Sequence, residues 1–115
     1  MSDFKRGDIW LASEARHTAS NIAHKRPVLI ISNNKYNDSS NEPICLHLTT
    51  DTKHECGVEL DYEKDMEMNR LVDPSSVRFD AISRYRTSIF EKKLGRVKEE
   101  KLRKIIKKLN WLIKE

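Results

Sequence analysis

Arg26, Thr49, Thr50, Arg78 and Asp80 are the residues of this chain whose types and spacing could do chemistry. Arg78 and Asp80 stand two apart in "VRFDAIS", where Val77, Phe79 and Ala81 hold the other parity. Side chains at i and i+2 of a strand point the same way, so both can address one ligand. Arg26 opens "RPVLIIS", and Thr49 and Thr50 close "ICLHLTT". A reaction that needs both signs of charge is cleavage of an RNA phosphodiester by its own 2′-hydroxyl. It requires a base for the 2′ proton, an acid for the departing 5′ oxygen and a cation facing the phosphorane. Carboxylate, guanidinium and hydroxyl meet those demands without a metal. Arginine is a poor acid, so its part would be stabilisation of charge. The same residues also fit a plainer account, in which Arg26 extends to water at a sheet rim and an Arg–Asp pair solvates an exposed face.

The elements that must position these groups are short strands. "GDIWLA" (7–12) alternates Ile9 and Leu11 with Asp8 and Trp10, and predicts a first strand. The polar stretch "SEARHTASNIAHK" (13–25) reads as a loop of about a dozen residues, long enough that a small domain should have a use for it. "RPVLIIS" (26–32) is apolar on both parities, as in a strand covered on both sides. "NNKYNDSSNEP" (33–43) supplies one turn former after another. Further strands are predicted at 44–50, 57–62 and 77–83. A helix closes the chain, with Leu102, Ile105, Ile106, Leu109, Leu112 and Ile113 in one stripe that can cover the open side of a sheet. Glu99 and Glu100 in its first turn and Lys107, Lys108 and Lys114 later suit the helix dipole. This pattern predicts a mainly β fold, a small barrel or strongly twisted sheet with a C-terminal α-helix.

With 115 residues, 37% apolar and 35% charged, the chain is expected to form one domain, 1–115, with a small core. Its 22 basic and 18 acidic residues give a net charge of +4, compatible with a polyanionic partner. No window approaches the length of a membrane span, and "MSDFKRGD" lacks the apolar segment of a signal peptide, so a cytoplasmic protein without membrane contact is expected. Cys45 and Cys56 lack CxxC spacing and are expected to remain thiols. His17, His24, His47 and His54 show no metal-ligand spacing, so neither a metal nor another cofactor is expected.

"KRGDIWLA", "KRPVLIISNNKYN", "HLTT" and "SSVRFDAIS" resemble, in order and spacing, the MazF/PemK toxins of bacterial toxin–antitoxin pairs. The likeness runs from about Lys5 to the last helix. It implies an SH3-like small barrel and an mRNA endoribonuclease acting on single-stranded RNA, with 2′,3′-cyclic phosphate and 5′-hydroxyl products. It also implies a homodimer and a cognate acidic antitoxin. Matched residue by residue, the resemblance puts catalytic roles on Arg26, Thr49, Arg78 and Asp80, with Asp80 the candidate base, the arginines holding the phosphate and Thr49 positioning it. Thr50 falls where a serine is common, and Asp8 where an acidic residue is usual, as a structural group or an orienter of the base.

The chain departs from the family pattern in two places. The first loop has Ser20 where the PemK histidine falls, and no glycine; His17 and His24 are the imidazoles at hand. "AISR", ending in Arg84, replaces the usual Gln-x-Arg-Thr. His17, Ser20, His24, Thr50 and Arg84 are accordingly the candidate RNA contacts. Two other functions share the fold: a gyrase-directed toxin like CcdB, which would need an apolar patch near the C-terminal end, and an inactive barrel that binds only an antitoxin.

Overall fold

The computed structural model describes residues 2–16 and 23–114, with backbone alone at 14–16, 23 and 24. The strands are β1 (Asp8–Arg16), β2 (Ala23–Ile30), β3 (Ile44–Thr49), β4 (Gly57–Glu59), β5 (Met66–Asn69), β6 (Ser76–Arg84) and β7 (Phe90–Val97). Two helices, α1 (Asn34–Ser40) and α2 (Glu99–Ile113), complete the elements that matter here. The seven strands form one sheet in the order β4-β6-β3-β2-β1-β7-β5. Neighbours pair antiparallel, and irregular register in β1, β3 and β5 helps bend the sheet into a half-barrel.

The apolar run of β2 is explained by cover on both faces. On one side Ile9, Leu29, Leu46, Leu48, Val77 and Phe79 pack beneath Leu102, Ile105 and Leu109 of α2. On the other, Ala12, Val28, Ile30, Cys45 and Phe90 form a second cluster with Phe4 and Trp10. Each fully buried aliphatic of this kind contributes about 2 kcal/mol. The stripe of α2 is covered only over its first turns, because Leu112 and Ile113 remain exposed.

Three expectations change. The hairpin β1–β2 runs further than predicted, with Ala15 and Arg16 still paired to His24 and Ala23, so much of the expected loop is strand. The stretch read as turns contains α1. Asn33 caps it by accepting from Tyr36 N at 2.8 Å, and Asn41 ends it in the left-handed region at φ 58°. Buried Asn37 donates from Nδ2 to Ser32 O at 2.9 Å, which anchors the helix to the end of β2. Strands β5 and β7 were not predicted, since "MEMN" is only four residues long and "FEKKLGRV" breaks its apolar residues with charges.

Asp8 shows why β7 belongs beside β1. Its carboxylate is fully buried and accepts from Arg96 Nη1 at 2.7 Å and from Lys5 N at 3.1 Å, with Lys93 Nζ at 3.2 Å. Of the two roles open to Asp8, the structure assigns the structural one. Gly7 precedes it at φ +95°, a conformation glycine adopts without strain, and its carbonyl accepts from Val97 N at 2.9 Å.

The Arg96 and Lys93 side chains are 36% and 34% exposed, so they can turn to water if the carboxylate is removed, whereas Asp8 cannot. Asp8→Ala should therefore cost about 1–3 kcal/mol. The double change Lys93→Ala/Arg96→Ala, which strands a buried anion, should cost roughly 3–5 kcal/mol in urea denaturation. The opposite order would show that Asp8 is not held as a buried charge.

Candidate active site

Pro27 decides where the first part of the site opens. It lies in β2 opposite Leu11, and pairing of β2 with β3 begins only at Val28↔His47. Proline has no N–H to donate, so the ladder ends there. Beyond it lies a cavity of about 230 Å³ lined by Lys25, Arg26, Pro27, Leu48, Thr49, Thr50 and Ser75. Continuing the β2–β3 register places Arg26 across from Thr49, and Thr49 pairs in turn with Ser76 of β6. Arg26 has the parity of Val28, and Thr49 that of Cys45, so this row projects from the sheet face opposite α2.

The row is short of partners. Arg26 Nε and Ser76 Oγ are buried and make no hydrogen bond among the described residues. Buried donors are seldom left unpaired, and each such atom costs stability. Thr49 Oγ1 accepts from Asp51 N at 3.1 Å, which leaves its own proton available to donate. The Arg26 guanidinium and the Thr49 hydroxyl line one small space, with Ser76 paired beside Thr49, and donors so placed make an anion site suited to phosphate.

Arg78 and Asp80 keep the parity of Ser76 and so share its face, the first about 7 Å further along the strand. They do not line the cavity. They pair with each other instead, Arg78 Nε donating to Oδ1 at 3.0 Å and Nη2 to Oδ2 at 2.8 Å. Arg78's hydrogen bonds hold the Asp80 carboxyl below its ordinary value, and Asp80 raises Arg78 in return. Asp80 is therefore a firm anion and, while so paired, a weak base.

The turn from β3 to β4 adds two residues that spacing had not singled out. His54 Nδ1 accepts from Cys56 N at 3.0 Å, and Phe79 N donates to Cys56 O at 3.0 Å, which fastens the turn to β6. A Cβ on Gly57 would lie 3.1 Å from both His54 O and Ser76 Cβ, so glycine permits this close approach. As a result one ligand atom each from His54, Cys56 and Asp80 falls within 4.8 Å of the others. Partial desolvation and the charges of Asp80 and Glu55 raise the Cys56 thiol.

The remaining candidates are dispersed. Thr50 lines the cavity. Arg84 stands at the far end of β6 opposite Ile44, with Nε 3.9 Å from Glu42. His24 lies in β2 opposite Ala15, where only its backbone is described, and His17 and Ser20 lie outside the described residues. His47 is buried, with Nε2 2.8 Å from Tyr85 Oη. Sequence reasoning missed Ser76, although it sits within the quoted "SSVRFD"; its place between Thr49 and the Arg78 pair comes from strand pairing.

Similar folds occur among toxins. An endoribonuclease from a mycobacterial species superposes with a TM-score of 0.72 at 22% identity, over 96% of this chain and 91% of that one. The same comparison with a mycobacterial endoribonuclease in complex with its cognate antitoxin gives 0.69 at 22% identity, over 96% and 93%. A MazE–MazF structure from Deinococcus radiodurans gives 0.75 at 16% identity, over 98% and 97%. No curated protein matches the chain significantly in sequence. No described helix is long and apolar enough to cross a membrane. The family model for PemK-like, MazF-like toxins matches residues 5–113, nearly the whole chain and every element of the site, and the chain belongs to that family of type II toxin–antitoxin toxins.

Proposed function

We propose that the chain is a toxin endoribonuclease that cleaves single-stranded mRNA by attack of the 2′-hydroxyl, leaving a 2′,3′-cyclic phosphate and a 5′-hydroxyl. The observation that carries this reading is the cavity lined by Arg26 and Thr49, where the buried Arg26 Nε has no partner among the described residues, with the likewise unpartnered Ser76 Oγ on the strand beside Thr49. A scissile phosphate seated there would receive the Arg26 guanidinium and the Thr49 hydroxyl on the side where charge grows in the transition state, with the Ser76 hydroxyl on the neighbouring strand as a further donor. Arg78 would turn part of its fork to the same phosphate. Asp80, released from that fork, would regain basicity as substrate arrives and take the 2′ proton, while the 5′ oxygen released as the P–O5′ bond breaks would take a proton from water. Membership of the toxin family supports the activity, and the +4 charge supports a polyanionic substrate. A small acidic antitoxin whose carboxylates occupy the anion site would inhibit it, and a second copy of the chain would lengthen the RNA groove.

The gyrase-directed reading has one observation in its favour. Trp111 and Ile113, 69% and 67% exposed, put an apolar patch near the C-terminal end. It leaves the unpartnered Arg26 and Ser76 atoms without a use, and a supercoiling assay with purified gyrase separates the two readings.

Cleavage of a labelled transcript tests the site. Asp80→Asn should still bind single-stranded RNA while cleavage falls about 100-fold or more. Arg26→Ala should weaken both binding and turnover, and Ser76→Ala should lower turnover by roughly 10 to 100-fold. Unchanged cleavage by Asp80→Asn would remove Asp80 as the base, unchanged binding and cleavage by Arg26→Ala would move the phosphate out of the cavity, and unchanged cleavage by Ser76→Ala would remove its hydroxyl from the phosphate contacts. EDTA should leave cleavage intact, because the groups assigned to the reaction are all side chains of this chain; abolition by EDTA would sink the metal-independent route.

A further inference from the structure

His54 and Cys56 have no part in the reaction just described, yet both stand at Asp80. Their backbone is already fixed. Gly57 N donates to His54 O at 3.0 Å, and Phe79 N to Cys56 O at 3.0 Å, so the turn and β6 are held together before any ligand arrives. The three donors are a thiol, an imidazole and a carboxylate within 4.8 Å of one another. Around a tetrahedral zinc ion such ligand atoms lie about 3.3–3.6 Å apart, as bond lengths near 2.0–2.3 Å require. Side-chain rotation closes the difference.

We propose that His54, Cys56 and Asp80 form an inhibitory site for a borderline-soft divalent cation of the zinc type, which silences the toxin by drawing Asp80 away from Arg78. The donor set selects the ion, since magnesium and calcium prefer all-oxygen shells. The Cys56 thiol proton leaves to solvent on binding, so thiolate and carboxylate balance the two charges of the metal. Water fills the fourth position. His54 Nδ1 now accepts from Cys56 N. That bond must open whichever ring nitrogen takes the metal, because a metallated Nδ1 has no lone pair to accept with and a metallated Nε2 leaves the proton on Nδ1. Asp80 pairs with Arg78 through both oxygens, so metal and guanidinium compete for one carboxylate. With the ion in place, Asp80 is neither available as a base nor able to orient Arg78. Inhibition presupposes the RNA-cleaving reading above, whereas metal binding does not.

The full chain, stripped with chelator and titrated with Co²⁺, should develop a thiolate-to-cobalt charge-transfer band that Zn²⁺ abolishes and Mg²⁺ does not. Cys56→Ser should lose the band although Cys45 remains, and His54→Gln should weaken zinc binding at least roughly tenfold. Zinc should depress RNA cleavage by the parent about tenfold or more and leave Cys56→Ser unaffected, with equal metal-free cleavage in the two. Absence of the band in the parent, or its persistence in Cys56→Ser, overturns the site. A Cys56-dependent band with cleavage indifferent to zinc overturns the inhibition. If no preparation cleaves RNA, the enzymatic reading fails, and the cobalt band still decides the metal site.

Discussion

Apolar cover on both faces of β2 and β3 is the constraint on which the rest of the structure depends. Val28, Leu29 and Ile30 alternate between the α2 cluster and the Phe90 cluster, and Cys45 and Leu46 do the same on the neighbouring strand. Water is excluded from this region, so every backbone polar group within it must find a ladder partner. Where Pro27 cannot offer one, the ladder with β3 stops and the sheet parts. Arg26, Thr49 and Ser76 stand at that boundary, close enough to the core to be partly desolvated and beyond the last pair of β2 with β3. An anion site needs such a place, because its donors gain strength from low dielectric only if nothing inside the protein already consumes them.

One carboxylate links the two halves of the site. Arg78 binds Asp80 through two parallel hydrogen bonds, an arrangement that keeps both side chains charged and oriented. The pair is only partly buried, at 17% and 27% exposure, so a competing phosphate can reach the guanidinium and a competing cation can reach the carboxylate. Deeper burial would have locked the pair and removed that choice. The proposed substrate and the proposed inhibitor thus act on the same ion pair from opposite sides, the phosphate as an anion for Arg78 and the metal as a cation for Asp80.

Asp8 shows the contrasting use of a carboxylate. It is fully buried and surrounded by Arg96, Lys93 and the Lys5 amide. Its place in "RGDIW", one of the segments by which the chain resembles its family, therefore reflects the joining of β1 to β7. Two acidic residues of the same motif set are divided by burial into a structural group and a candidate chemical one.

The α2 stripe, the alternation of β3 and β6 and the doubly covered β2 were all legible in the sequence, because each is a local period that burial imposes on one element. The pairing of Arg78 with Asp80 was legible for the same reason, as an i, i+2 relation within a single strand. Strands β5 and β7 were hidden because their charges are satisfied by partners far along the chain, as Arg96 is by Asp8 and Glu67. Helix α1 was hidden because asparagine and serine serve turns and caps equally well, and only Asn37 packing on Ser32 chooses between them. Ser76 beside Thr49, and His54 and Cys56 beside Asp80, depend on registers between strands and on a turn held by backbone hydrogen bonds. By itself the sequence determined which residue types each element carries and which face they share. Tertiary structure alone decided which of them meet, since register across strands is set by the packing of the whole sheet.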